Sequence, residues 1–377
     1  MNSRFLARLT AFIASIASIA TIAATLFASC ERRPLEVPTE PGVQVKIIND
    51  WDNHKFLYGK KPNGMTVMLW GENTHDTRIE SRNDTVIVFN DLKPDRYRLI
   101  IFNETFSDFG YQYFENAGDF ESMTMRSKHY TTRSWDSYVT DYMHYPDPIS
   151  VSLDTFDITT DMVNRDTTVL VFYDDYIENG PEAYNGKVRT YEIPELAWPM
   201  TVNLYIKAKV KRRQAIKKNG IEANISGMAD GFSFSHINRT TQTGTLKLTD
   251  WTMEAIGDPA DSMGIITAHI PSFGLPYGKE LLSERDSADN ILSFYIRLVN
   301  DSVQQCTFKV SKDMHYIKPD GREAQIRHRT DLQNIRLEID LSDIIVMPPI
   351  PIPSGGAGFD AKVDEWEDGG TFEFGGF

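Results

Sequence analysis

Residues 202–210 carry the most regular pattern in the chain, a strict alternation of apolar and polar side chains. The apolar set is Val202, Leu204, Ile206, Ala208 and Val210, and the polar set is Asn203, Tyr205, Lys207 and Lys209. Successive side chains of a β-strand point to opposite faces of the sheet, so a period of two places all the apolar residues on one face. The pattern therefore predicts a strand with one buried and one solvated face.

Similar strand-length runs recur along the chain, and no helical period of ten or more residues occurs outside the first thirty residues. The further predicted strands are 43–48, 65–70, 85–89, 96–102, 169–173, 232–237, 245–253, 264–270, 292–299, 305–310 and 335–341. Residues 103–148 are rich in aromatic and acidic side chains, and no element is predicted there. Residues 174–187 are acidic and contain Gly180 and Pro181, which indicates a domain boundary. We therefore predict an all-β chain with two antiparallel β-sandwiches in series, at 43–180 and 190–347.

The first thirty residues have the composition of a secretory signal. Arg4 and Arg8 precede an apolar run at 9–27, and small residues stand directly before Cys30. This pattern predicts a signal peptide at 1–29, cleaved before a lipid-modified Cys30. Residues 30–42 are proline-rich and form the predicted tether. The chain is therefore expected to be anchored to a membrane by lipid. The alternative is an ordinary secreted protein in which Cys30 has no lipid.

The tail at 348–377 begins with alternating prolines that exclude a central strand. It continues through Gly355 and Gly356 into two short segments in which apolar and polar side chains alternate. One piece carries Phe359, Ala361 and Val363, and the other carries Phe372 and Phe374. The tail therefore has the pattern of a stiff spacer followed by strand-like segments.

Charge and motifs exclude several function classes. The net charge of −14 disfavours nucleic acid as a partner. The eight histidines show no metal-ligand spacing, and the chain has neither a phosphate-binding loop nor a nucleophile elbow. We therefore predict no enzyme, cofactor or metal. Cys306 is predicted to be a buried structural thiol. The six tryptophans are predicted to pack in cores rather than against sugars; they are Trp51, Trp70, Trp135, Trp198, Trp251 and Trp366.

Four features together resemble the fimbrillin-like outer-membrane lipoproteins of the Bacteroidetes. They are Cys30, the strand-end segment 96–103, the segment 200–210 followed by 223–229, and a set at 272–275, 301–310 and 358–366. The order of these segments, rather than any one of them, carries the resemblance. Phe27 and the irregular stretch 103–165 depart from the family pattern.

The resemblance implies two transthyretin-like β-sandwich domains and a lipid anchor in the outer membrane that leaves the chain facing the cell exterior. It also implies a pilus or surface-adhesion role beside other pilin-like subunits. It further implies β-strand donation, in which a first strand carrying Val43, Val45 and Ile47 is removed. The donor would carry Phe359, Ala361 and Val363, or Phe372 and Phe374. The alternative for the tail is that it completes this subunit's own sheet. The alternative function is a glycan-binding lipoprotein of a nutrient-uptake system, which a cluster of exposed tryptophans would favour.

Overall fold

The computed structural model describes residues 42–48, 62–83, 86–132, 141–172, 188–192, 198–257, 262–324 and 335–350. These ranges contain 24 strands and one short α-helix, α1 (Thr160–Asn164). Among them, no helix has the length and apolar character needed to cross a membrane. The all-β prediction is therefore confirmed.

The strands of the first half follow in chain order. They are β1 (Val43–Ile48), β2 (Met65–Gly71), β3 (Thr77–Arg82), β4 (Val86–Leu92), β5 (Asp95–Asn103), β6 (Gln112–Glu115), β7 (Thr124–Ser127), β8 (His129–Thr131), β9 (Asp141–Met143), β10 (Ser150–Ile158), β11 (Thr168–Phe172), β12 (Val188–Glu192) and β13 (Trp198–Pro199). Strands β6 to β9 lie in the region where the sequence predicted no element.

The strands of the second half include the longest in the described ranges. They are β14 (Val202–Lys211), β15 (Ile216–Ala229), β16 (Gly231–Ser233), β17 (Asn238–Arg239), β18 (Thr243–Leu248), β19 (Thr252–Ala255), β20 (Met263–Ser272), β21 (Ile291–Leu298), β22 (Val303–Lys309), β23 (Met314–Ile317) and β24 (Arg336–Val346). In β14 the side chains at even positions from Val202 to Val210 are buried, as the alternation predicted.

Five sheets organise these strands. Sheet 1 has the order β12-β11-β1-β4, and sheet 2 has the order β13-β10-β5-β2-β3. Sheet 3 has the order β19-β20-β14-β24-β23, sheet 4 the order β22-β21-β15-β18-β9-β8, and sheet 5 the order β17-β16-β7-β6. Most pairings are antiparallel, but β1 with β11, β11 with β12, β14 with β24 and β9 with β18 are parallel.

Two sandwiches bury two separate cores. The N-terminal core lies between sheets 1 and 2, with Val45, Leu69 and Ile101 among its buried residues. The C-terminal core lies between sheets 3 and 4, and Ile206 and Phe294 are among its buried residues. Apolar burial of this kind stabilises a fold by about 25 cal/mol per Å² removed from water. The layered β architecture predicted from the alternation is thus present in both halves.

A third cluster, the junction core, joins the two halves. Met68 and Phe102 contribute to it from the face of sheet 2 that points away from the N-terminal core. Phe232 and Phe273 contribute from the second half, and Met125 contributes from β7 of sheet 5. Sheet 2 is therefore covered on both faces, which explains why every residue of β2 is buried. The proposed boundaries of the two domains stay a prediction, and strands from 112–143 pair with strands of the second half.

A buried carboxylate fixes the turn after β2. Asp95, 7% exposed, accepts hydrogen bonds from Thr74 N and Oγ1, both at 2.7 Å, and from Asn73 N and Nδ2. It also accepts one from Arg96 N at 2.7 Å. A Cβ on Gly71 would lie 2.6 Å from Asp95 Oδ2, so only glycine fits against this carboxylate. Burial raises the pKa of Asp95, but the hydrogen bonds outweigh it and lower the pKa to about 2.

We expect the stability of the fold to depend on this carboxylate below pH 4. The pKa of Asp95 in the folded chain lies below its ordinary value of 3.8, so its contribution is complete above that pH and is lost as the pH falls towards 2. Replacement Asp95→Asn should cost about 1–2 kcal/mol at pH 7, after allowance for solvent screening. Urea unfolding at pH 7, 4 and 3 measures this. A variant that loses as much stability on acidification as the native chain would contradict the assignment.

Candidate functional site

Strand β1 is the first of the described strands and lies inside a sheet rather than at its edge. It pairs antiparallel with β4 and parallel with β11. Val45 is opposite Phe89 of β4 and Val169 of β11. The sequence predicted the strand correctly, but it gave no sign of this central position.

The alternation in β1 determines which side chains enter the core. Val43, Val45 and Ile47 are at most 1% exposed and belong to the N-terminal core. Gln44 is exposed, and its Nε2 donates to Asn90 Oδ1 at 3.0 Å. Full burial of a Val or Ile side chain contributes about 1.5–3 kcal/mol. The three inward side chains are therefore a large part of what holds β1 in the sheet.

The entry to β1 passes close to the loop after β4. A Cβ at Gly42 would lie 2.3 Å from the Cα of Asp91, so a side chain there would force the two segments apart. Asp91 itself has a φ of 60°. The pairing register of β1 with β4 shifts between Val43 and Val45. The close approach at Gly42 therefore fixes where β1 begins.

The topology makes β1 separable from the rest of sheet 1. No strand precedes it among the described residues. Without β1, β11 keeps its partner β12, whereas β4 loses the one strand that it pairs with in sheet 1 among the described residues. Two backbone edges would then face each other across the space of one strand. Such edges accept an extended segment through main-chain hydrogen bonds.

The last described residues leave the fold from the C-terminal core. Met347 follows β24 and is fully buried. Its N–H donates to Lys211 O at 3.1 Å, and its carbonyl oxygen accepts from Arg212 Nη1 at 2.6 Å. Ile350 is partly buried against the same core. The chain is therefore held up to Ile350, within the proline-rich start of the tail.

Several predicted site residues lie outside the described residues. They are Cys30 and the tail residues Phe359, Ala361, Val363, Phe372 and Phe374. The acidic boundary at 174–187 also lies outside them. Lipidation, the donor segment and the boundary stay predictions. Of the tryptophans, Trp70 is buried in the junction core and Trp251 is partly buried against the C-terminal core.

Metal-ligating side chains and the free thiol are the reactive groups that the sequence singled out. No group of three or more metal-ligating side chains comes together within the described ranges. Cys306 packs against the C-terminal core but is only half-buried, whereas the sequence predicted a buried thiol. Burial raises the pKa of the Cys306 thiol, and the hydrogen bond from Gln304 Nε2 at 3.6 Å opposes this shift only in part. A raised pKa keeps the thiol protonated and unreactive.

A charged cluster at the junction of the two halves was missed by the sequence reasoning. Arg126 of β7 donates from Nε to Glu115 and from Nη1 to Asp230, both at 2.7 Å. Its Nη1 also donates to Gln242 Oε1 at 2.5 Å. The Arg126 hydrogen bond is the largest cause of a lowered pKa of Glu115. Glu115 and Arg126 lie on strands of four residues each, which are too short to show a period, so the sequence carried no signal for this cluster.

Comparison with known proteins gives a likeness in structure only. No protein-family profile matches the chain, and no curated protein matches it in sequence. The structure of a candidate adhesin from Bacteroides ovatus ATCC 8483 matches with a TM-score of 0.51 at 15% identity, covering 86% of this chain and 99% of that one. The chain shares its overall fold with this protein. At this identity the likeness establishes the fold and nothing finer.

Two further structures are similar at lower scores. Another candidate adhesin from Bacteroides ovatus has a TM-score of 0.41 at 12% identity, covering 86% of this chain and 93% of that one. The fimbrial anchor protein Mfa2 of Porphyromonas gingivalis has a TM-score of 0.36 at 10% identity, covering 79% of this chain and 89% of that one.

Proposed function

We propose that this chain is a cell-surface fimbrial or adhesion protein that assembles with other subunits by β-strand donation. The observation that carries the proposal is the position of β1, a first strand buried at the centre of sheet 1. The fold shared with the candidate adhesin supports the surface role. In this proposal Cys30 carries the lipid that holds the chain in the outer membrane, facing the exterior.

The donation step follows from the pairing of β1. Proteolysis after β1 removes Val43, Val45 and Ile47 and leaves a groove between β4 and β11. The tail of another subunit then enters, with Phe359, Ala361 and Val363, or Phe372 and Phe374, as its inward side chains. Either candidate supplies two large apolar side chains, which together contribute about 3–6 kcal/mol when fully buried. Main-chain hydrogen bonds to both edges add to this and set the register.

Two alternative functions predict different properties of the chain. If the tail completes this subunit's own sheet, the chain stays monomeric and the tail contributes to its stability. If the chain is instead a glycan-binding lipoprotein of a nutrient-uptake system, exposed tryptophans on one face would favour it. The tryptophan side chains that the structure describes, Trp70 and Trp251, contribute to cores. Strand donation is therefore the function that the geometry supports best.

The test is whether the protein forms a polymer on intact cells. Cells that express the chain are sheared, and the released and membrane fractions are run unboiled on a denaturing gel. We expect a high-mass ladder in the sheared fraction that collapses to one band on boiling, because strand-exchanged contacts resist detergent but not heat. A single band confined to the membrane pellet under both conditions would contradict polymer formation.

A further inference from the structure

An open cavity lies where sheet 5 meets the second half of the chain. It has a volume of about 770 Å³, and its lining includes Tyr113, Arg126, Asp230, Thr241 and Gln242. This volume falls in the range of small-molecule sites in proteins. The cavity is remote from β1, which belongs to the N-terminal core. Strand donation at β1 therefore does not account for this cavity.

One exposed tyrosine lines this cavity, and two others belong to segments beside it. Four tyrosines are exposed in the part of the chain that the structure describes, and three of them, Tyr111, Tyr113 and Tyr277, lie in this region. Tyr113 lines the cavity and is 40% exposed. Tyr277 N donates to Thr240 O at 3.2 Å, which places Tyr277 beside the wall formed by Thr241. Tyr111 is fixed by stacking on His144 at 4.6 Å.

The polar lining is ordered by ion pairs across the two halves. Arg126 is held by Glu115, Asp230 and Gln242, and its side chain is only 16% exposed. Asp230 also accepts from Thr240 Oγ1. Burial lowers the pKa of Arg126, but the bonds and charges of Glu115 and Asp230 outweigh it and raise this pKa. The side chains are therefore fixed in place before any ligand arrives, which reduces the entropy cost of binding.

The chemistry of the lining selects among ligand classes. Two carboxylates outnumber the single guanidinium, so a free anion is disfavoured. Both carboxylates are already bound to Arg126, which leaves them poorly available for a metal ion. An apolar ligand would offer no hydrogen bonds to the hydroxyls of Thr241 and Thr243, which also line the cavity. A neutral sugar fits, because its ring face stacks on a tyrosine and its hydroxyls both donate and accept hydrogen bonds.

We propose that this cavity binds a neutral glycan, with Tyr113 as the ring on which a sugar stacks. The proposal deepens the adhesion role proposed above, on which it rests, by naming the class of ligand. It does not depend on strand donation. The site draws on both halves of the chain, because Tyr113 comes from β6 while Thr241 and Gln242 come from the segment before β18.

The test uses the full-length lipoprotein in detergent on an array of glycans. The array carries mannose-, glucose-, galactose- and N-acetylglucosamine-terminated oligosaccharides, with sialylated and sulfated glycans beside them. We expect binding to at least one neutral class, weakened about tenfold in Tyr113→Ala and retained in Tyr113→Phe, since the ring supplies the stacking. Tyr205→Ala is the matched control, because Tyr205 is 37% exposed but stacks on His269 in sheet 3.

The outcomes separate this proposal from the proposed function. Binding to no neutral glycan, binding confined to the acidic glycans, or equal binding by Tyr113→Ala would each overturn the glycan site. Thermal melting of the variants confirms that they are folded. The boiling-sensitive ladder from sheared cells is expected to be the same for Tyr113→Ala and the native chain. If cells that express the native chain give no ladder, strand donation is contradicted. The glycan-binding result would not be affected.

Discussion

A chain that lacks residues 355–377 is expected to fold normally and to form no boiling-sensitive polymer. The described fold ends with Met347 bonded to Lys211 and Arg212, and with Ile350 against the C-terminal core, all upstream of the deletion. Its melting temperature should therefore change by less than about 2 °C. The groove of the next subunit would receive no donor, so the ladder of sheared subunits should disappear. Thermal melting and the unboiled gel measure the two effects.

Point variants separate the donor side chains from the length of the tail. Phe359→Asp with Val363→Asp places charges on the apolar parity of the first strand-like piece. Lys362→Ser with Asp364→Ser changes the opposite parity and is the matched control. We expect the first pair to abolish the ladder and the second pair to leave it, because only the apolar parity enters the groove. Normal assembly of the truncated chain would rule out this donor, and a large drop in its melting temperature would show that the tail closes its own sheet.

The sequence predicted best those strands that have one solvent-exposed face and one buried face. In β14 the alternation matches the burial at each predicted apolar position. Strand β15 was missed because its pairing with β21 shifts between Ile216 and Ile221, and its pairing with β18 shifts between Ile225 and Met228. Each shift moves the apolar residues from one parity to the other. A pattern of period two cannot be read across such irregularities.

The junction was invisible to the sequence for a different reason. Strands β6 and β7 have four residues each, too short to show a period. The apolar run of β2 indicated a strand, but it did not indicate that the second face of sheet 2 is covered by Phe232 and Phe234. Such a contact depends on residues more than 150 positions apart in the chain. The parallel pairing of β14 with β24 was hidden for the same reason.

The candidate site was also predictable only in part from the sequence. The alternation of Val43, Val45 and Ile47 indicated burial, and the structure confirms it. The neighbours of β1 were not predictable, because β4 and β11 are contributed by segments about 40 and 125 residues further on. The junction cavity combines residues from β6, β7 and two later segments. None of these segments carries a motif on its own, so only the fold brings the charged cluster and the tyrosines together.

The other large effect is expected from a charge placed in β1. Val45 is completely buried between Phe89 and Val169, so Val45→Asp removes its burial and adds a carboxylate with no partner. We expect a loss of more than about 4 kcal/mol in the free energy of unfolding of the N-terminal sandwich. Gln44→Asp is the control, because Gln44 is exposed and the change should cost less than about 0.5 kcal/mol. Chemical denaturation of both variants measures the difference, and a small effect of Val45→Asp would show that β1 is not part of the stable core.

The same residue tests whether the groove accepts a strand from outside. A chain that begins after β1 exposes the edges of β4 and β11, so it should be less stable than the full chain. A synthetic peptide of residues 42–48, added in excess, should raise its melting temperature by about 5 °C, because a ligand that binds only the folded state stabilises it. The same peptide with Val45→Asp should have no effect, since its charge would enter the N-terminal core. Equal stabilisation by both peptides would mean that the groove does not select side chains, and a donor strand would then have no means of finding its register.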